Sequence, residues 1–199
     1  MRPADQGRVQ KEISNIQKDK GVSGVAVELK SDSSIKYMIG SLEGPTDTPY
    51  EGGLFYVDIE LDDQYPFVPP KMKFITKVWH PNISSASGAI CLDILKDQWT
   101  PALTIKTALL SLQALLSTPE PNNPQDAVVA KQYLSDKAAF DRTAKEWTVE
   151  YAHRDQVVSN VSKVQRLTDM GFDKRVVMDA LSRCGGNEVK AMEMLLGND

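Results

Sequence analysis

Cysteine and histidine are scarce in this sequence. Cys91 and Cys184 are the two thiols, and His80 and His153 the two imidazoles, among 199 residues. A lone, widely spaced cysteine pair gives no disulfide framework. The spacing also lacks the paired cysteines and histidines that a structural zinc site needs, so no metal is expected. A reducing compartment, the cytoplasm with the nucleus open to it, is the expected setting. There is no basic excess either: 23 Lys and Arg stand against 27 Asp and Glu, a formal net charge of -4, which argues against a nucleic-acid partner. Long apolar runs are missing too. The start, MRPADQGRVQKEISNIQ, has no apolar stretch of signal-peptide length, and TALLSLQALL at 107–116 is too short to span a bilayer. No membrane partner is expected.

What remains is a chain that is 41% hydrophobic and 25% charged, long enough for one good core and a small second module. Val9, Ile13 and Ile16 recur at helical spacing, which predicts an amphipathic helix ending near Gly21. The basic residues of that stretch, Arg8 and Lys11 among them, read on charge alone as a solvated helix face. GVAVELK, IKYMIGSLE, GLFYVDIELDD and KMKFITKVW predict four strands, and their short connections favour an antiparallel meander. PFVPP at 66–70 is a rigid loop, since three prolines remove three ladder donors. From Trp79 to about Pro101 no period is sustained. Ordered loops of that length are usually functional.

TIKTALLSLQALL then predicts a helix buried on several sides, halted by the prolines of TPEPNNPQD. Two more helices are expected at about 126–134 and 137–152. The pattern lapses around HRDQVVSN, which reads as a linker. Beyond it, Val161, Val164 and Leu167 form one apolar stripe, Val176, Val177, Ala180 and Leu181 a second, and Val189, Met192 and Leu196 a third. Gly171 and the pair Gly185, Gly186 stand where helix ends belong, and Asp173 and Asn187 where N-caps belong. These predict a three-helix miniature of about 40 residues, near the lower size limit for a domain without metal or disulfide.

Cys91 lies in HPNISSASGAICLDIL, eleven residues after His80. A catalytic cysteine needs thiolate character, usually from a neighbouring histidine, a cationic group or a helix amino terminus. His153, in a polar linker, is poorly placed to be that base, and the position six after the cysteine, where a phosphatase loop wants arginine, is Asp97. A missing base suits a different task. A thioester that must survive until an amine arrives is safer with no general base beside it to activate water. Taken alone, Cys91 reads first as a small buried hydrophobe, the commonest role of a lone cysteine.

The combination of HPN at 80–82, Cys91 in GAICLDIL and QWTPALT at 98–104 resembles the signature of the ubiquitin-conjugating (E2) enzymes. The similarity extends through PYEGGLFYVDIELDDQYPFVPPKMKFITKVWHPN and AKEWTVEYA. The terminal module, with MGF at 170–172 and a closing leucine pair, resembles a ubiquitin-associated (UBA) domain. A core followed by one such domain, with DILKDQW and NPQDAVVA, is similar to the E2-25K type. The resemblance implies an α+β fold: an antiparallel four-stranded meander with flanking helices over 1–152, a linker at 153–159 and a three-helix UBA bundle over 160–199.

It also implies an activity. Cys91 would take ubiquitin from an activating enzyme (E1) as a glycyl thioester and transfer it to lysine, building chains for protein degradation. No cofactor is bound; ATP is used upstream by E1. Ubiquitin, E1, RING-type ligases (E3) and lysine-bearing substrates are the implied partners. Asn82 would either donate to the oxyanion or hold the loop, and His80 would tie the loop together. Asn123 stands at the lysine gate, where many relatives carry aspartate or serine, which leaves Asp93 as the nearest acid in sequence. Arg8, Lys11, Phe67, Pro101 and Ala102 would contact E1 and ligase; for the last three, loop packing is the other reading. Trp99 reads as a core anchor. Met170, Gly171, Phe172 and Leu196 would hold ubiquitin, with core packing as the other reading of Phe172 and Leu196, and Leu195 would pack. Two competing readings are a non-catalytic ubiquitin-binding adaptor, against which the intact Cys91 motif argues, and a carrier of another ubiquitin-like modifier, which the UBA-like tail disfavours.

Overall fold

The computed structural model describes residues 3–19, 21–30, 34–152, 163–164, 166–184 and 186–197. His153, Val161, Gly185 and the 153–159 linker lie outside them. Contacts divide the chain into two units, Met1–His153 and Arg154–Asp199.

In the first unit, α1 (Pro3–Lys18) buries Val9, Ile13 and Ile16 on one face. Strands β1 (Val25–Leu29), β2 (Tyr37–Glu43), β3 (Leu54–Glu60) and β4 (Lys71–Phe74) form an antiparallel meander in sequence order. Alternation sends Met38, Gly40 and Leu42 of β2, and Phe55, Val57 and Ile59 of β3, to one buried face. Gly40 pairs with Val27 on one side and Val57 on the other. A Cβ there would stand 2.8 Å from Leu109 Cδ2 and 2.9 Å from Ile59 Cδ1. The missing side chain lets the central helix lie close on the sheet.

That helix, α2 (Ile105–Ser117), buries Ile105, Ala108, Leu109, Leu112, Leu115 and Leu116. It opens on a capping box between Thr104 and Thr107. Helices α3 (Ala127–Ser135) and α4 (Lys137–Tyr151) follow, capped by the side chains of Asp126 and Asp136. Tyr133 and Phe140 meet edge to face at 4.9 Å between these two helices.

One expectation fails at β4. The apolar pattern predicts a strand over 71–79, but regular pairing stops at Phe74. Beyond it the N–H groups of Ile75 and Thr76 both donate to the Tyr56 carbonyl, while the Thr76 hydroxyl accepts the Tyr56 N–H at 2.9 Å. Two donors on one carbonyl end the ladder. The chain is then free to turn toward Trp79 and His80.

In the second unit, residues 163–164 and 166–169 are helical, followed by α5 (Lys174–Arg183) and α6 (Glu188–Leu195). Leu167, Val177, Ala180, Leu181 and Ala191 form its core, with Val164, Phe172, Cys184, Met192 and Leu195 packed around them. Gly171 and Gly186 adopt positive φ, and Asn187 caps α6. Asp173 accepts the Val176 N–H at 3.4 Å, a loose cap on α5. The predicted stripes need correction: Val176, Val189 and Leu196 are exposed at 54%, 66% and 58%. Over eight residues α6 buries little more than the strip around Ala191, flanked by Met192 and Leu195. Val189 and Leu196 fall to either side.

Leu109→Ala, at the junction of α2 with Gly40, is expected to lower unfolding free energy by about 2–5 kcal/mol. Urea denaturation of the full chain measures this.

Candidate active site

The approach to Cys91 is built from irregular backbone, so its order depends on specific hydrogen bonds. The Tyr50 hydroxyl donates to the Trp79 carbonyl at 2.7 Å, and Trp79 Nε1 donates to Gln132 Oε1 at 2.7 Å. His80 follows, fully buried. Its Nδ1 accepts the Asn82 N–H at 3.0 Å, so the proton sits on Nε2, which donates to the Leu115 carbonyl at 3.0 Å. Burial lowers its pKa to about 4, against the opposing effect of the Leu115 carbonyl. A neutral, buried ring with both nitrogens engaged is a tie between the loop and the end of α2.

Asn82 is buried beside it. Its Oδ1 accepts the Glu120 N–H at 2.8 Å, and its Nδ2 donates to the Glu120 and Asn123 carbonyls, both at 3.0 Å. Both amide protons are thereby used, and the Glu120 pattern fixes the amide orientation. The Asn82 carbonyl accepts the Cys91 N–H at 2.9 Å, which places the cysteine directly behind this clamp. The Pro81 carbonyl takes the N–H groups of Gln125 and Asp126.

The turn between Asn82 and Cys91 has its own anchor. Asp126 accepts the N–H and the hydroxyl of Ser85 at 3.0 and 2.7 Å while capping α3. Burial pushes its carboxyl up, but the Ser85 groups and the amides of Val128 and Val129 outweigh this and hold it below the usual range. Gly88 donates to Ser84 and accepts from Phe74, at φ 73°. A Cβ there would lie 2.0 Å from the Phe74 carbonyl oxygen, so glycine is required.

Cys91 itself is half-buried, and Lys96 Nζ donates to its sulfur at 3.4 Å. Lys96 is brought there by the 3-10 turn Asp93–Leu95. Sequence reasoning missed this cation; the signal was its position five residues on, across a tight turn. Asp93 is exposed, and its carboxylate accepts the Ile94 N–H at 2.7 Å at the head of the turn. Asn123 is exposed, its backbone held by Glu120 and Asn82. Glu120 was also missed, because it acts through backbone atoms. Among the described residues no cluster of three or more His, Cys, Asp or Glu is placed to hold a metal ion, and no helix is long and apolar enough to cross a membrane.

A second group of predicted residues meets elsewhere on this unit. Phe67 is 63% exposed, and Lys11, Pro101 and Ala102 are exposed. Trp99 is buried, with its indole donating to the Pro66 carbonyl at 2.8 Å. Arg8 is partly covered: its guanidinium binds Glu12 and the Leu103 carbonyl, each at 2.8 Å. In the small unit Met170, Gly171 and Leu196 are exposed, whereas Phe172 is half-buried against the core.

The site is therefore a half-buried cysteine on a hydrogen-bonded loop, with a lysine at its sulfur, carried by a four-stranded meander and four helices. Comparison with known proteins gives the class. Residues 8–148 match the ubiquitin-conjugating enzyme family, and 159–195 match the UBA/TS-N domain. The chain is 53% identical to ubiquitin-conjugating enzyme E2 27 of Arabidopsis thaliana, over 96% of this chain and 97% of that protein. It is 46% identical to human ubiquitin-conjugating enzyme E2 K over 96% of each. The E2 domain of a Toxoplasma gondii ubiquitin-conjugating enzyme superposes with a TM-score of 0.71 at 52% identity, covering 74% of this chain and 99% of that one. The chain belongs to the ubiquitin-conjugating enzyme (E2) family, in the E2-25K type with a carboxyl-terminal UBA domain.

His80 yields a pH prediction. An unfolded histidine titrates near 6.5, and the folded one near 4. Between these values the unfolded chain binds a proton that the folded chain excludes, so this contribution to stability is complete above pH 6.5 and falls as pH drops through the window. The expected loss by pH 4 is on the order of 3 kcal/mol. NMR should show a neutral His80 ring at pH 5.5; titration near 6.5 would contradict the buried tie.

Proposed function

We propose that Cys91 is the residue that takes ubiquitin from E1 as a thioester and delivers it to a lysine amine. The observation that carries this is the setting of the cysteine: half-exposed, its sulfur reached by the Lys96 cation, and its N–H held by Asn82, whose own N–H occupies one nitrogen of the buried His80. In the transfer, a neutral lysine amine attacks the thioester carbon and loses its proton to solvent. The new C–N bond forms as the C–S bond breaks and the thiolate leaves. Lys96 is placed to stabilise negative charge growing on sulfur. His80, the motif's imidazole, is buried with both nitrogens bonded and so is not free to activate water.

In this reading Asn82 supports the loop, since its amide protons are both bound to carbonyls of the 120–123 segment. Asn123 lies at the gate and orients the incoming amine without offering a carboxylate. Asp93 serves the turn that presents Lys96. E1 and a RING-type ligase dock on the face displaying Lys11, Phe67, Pro101 and Ala102, with Arg8 within it. The UBA unit holds ubiquitin through Met170, Gly171 and Leu196, with Phe172 as their packed base. A carrier with its own ubiquitin-binding unit suits chain building for degradation in the cytoplasm, with ATP consumed by E1 and no cofactor on this chain.

Cys91→Ser should give an oxyester with ubiquitin that resists reductant and yields to hydroxide, with transfer to lysine very slow because an alkoxide leaves poorly. A reductant-sensitive adduct in that variant would mean that another residue accepts ubiquitin. Met170→Lys, at an exposed site that leaves the small core intact, should weaken ubiquitin binding about tenfold without changing Cys91 charging. Titration of labelled ubiquitin by NMR measures the binding; wild-type affinity would remove Met170 from the surface.

A further inference from the structure

Glu12 is a carboxylate on α1 that is 7% exposed, and three donors meet on it, one from its own helix and two from distant parts of the chain. Its Oε1 accepts Arg8 Nε at 2.8 Å. Its Oε2 accepts the Tyr65 hydroxyl at 2.8 Å and the backbone N–H of Ile105 at 2.9 Å. Ile105 is the first residue of α2, so the carboxylate satisfies an otherwise orphaned amide at the positive end of that helix dipole. The other arm of Arg8 holds the Leu103 carbonyl. Tyr65 packs on Trp99, with ring centroids 5.9 Å apart. Burial first, then the Glu12 charge, holds the Tyr65 hydroxyl well above its ordinary pKa, so it remains a donor.

Burying a charge is a poor way to gain stability. A well-packed apolar group of similar volume usually serves as well or better, while a buried carboxylate demands fixed partners at fixed distances. The segments that Glu12 joins are the ones that carry the exposed docking residues. Lys11 precedes it on α1, Phe67 follows Tyr65 by two positions, and Pro101 and Ala102 precede the Leu103 that Arg8 grips. We infer that Glu12 is a positioning residue for docking of the activating enzyme, holding α1, the 62–67 loop and the 101–104 segment in mutual register. The inference rests on the proposed reading of that exposed face. It also recasts Arg8, whose guanidinium is held inward by Glu12 and Leu103, as part of the frame that presents the face.

The register is set by a group with four lone-pair sites and no proton. In Glu12→Gln one oxygen becomes an NH2. With the remaining oxygen facing Tyr65 and Ile105, that NH2 faces Arg8, donor against donor, and the Arg8 link to Leu103 loosens. The test is steady-state charging of the full-length protein by E1, ubiquitin and ATP, with the conjugating enzyme varied. Glu12→Gln should raise its KM about tenfold with kcat within about twofold, and discharge of the loaded thioester to hydroxylamine should keep its wild-type rate. A general loss of structure would lower kcat and discharge as well. An unchanged KM, or a loss confined to kcat, overturns the inference. Lys11→Glu and Ala102→Asp test the face itself: if neither raises KM, that reading falls and the inference falls with it, whereas if both do and Glu12→Gln does not, the inference falls alone. Should Glu12→Gln not fold, Tyr65→Phe keeps the ring on Trp99 and removes one donor. A KM rise of about threefold is then expected, and an unchanged KM overturns the inference.

Discussion

The carboxamide of Asn82 is the interaction on which the rest of the site depends. The chain from Trp79 to Pro101 contains one short 3-10 turn and isolated bridges, so few of its backbone groups are paired by regular structure. Asn82 compensates by joining two irregular segments at once, gripping Glu120 and Asn123 with its side chain and Cys91 with its carbonyl. A single hydrogen bond is worth about 1 kcal/mol net. Losing this side chain would break three such bonds together. His80 adds the link to Leu115 at the end of α2, so the loop is referenced to the central helix and hence to the sheet.

Among the described residues, titratable groups of the loop and its flanks are drawn into hydrogen bonds that hold it. His80 is buried and neutral, Asp126 binds Ser85 and the start of α3, and one oxygen of the exposed Asp93 accepts the Ile94 N–H of its own turn. The hydrogen-bonded loop then presents a sulfur with a cation at hand.

Much of the first unit was legible in the sequence. Strand alternation gave the meander, the apolar run gave α2, and Val9, Ile13 and Ile16 gave the buried face of α1. Periodicity alone misplaced the end of β4, because a bulge at Tyr56, Ile75 and Thr76 is a matter of which carbonyl accepts which amide. In the small unit Val176 and Val189 were placed on core stripes, and Leu196 on a stripe as well as among the residues that would hold ubiquitin, although helices this short bury only a narrow strip. Those positions show how weakly an apolar stripe distinguishes a core face from a binding face when the element has two turns.

The site was legible where its residues act through side chains in a recognisable motif, as with Asn82, Cys91 and His80. It was illegible where contacts cross the fold. Lys96 reaches the sulfur because a 3-10 turn reverses the chain, Glu120 contributes backbone atoms, and Arg8 turns inward toward Glu12 and Leu103.

The central claim is that the Asn82 amide stays on the 120–123 segment while ubiquitin is carried. Hydrogen exchange and NMR of the Glu120 N–H and the Asn82 side-chain amide, in the free protein and in the stable oxyester of the Cys91→Ser variant with ubiquitin, test it most directly. The account predicts that these protons remain protected and hold their shifts on loading; loss of protection at Glu120 with a shifted Asn82 amide would show the carboxamide released toward the acyl group and would contradict it.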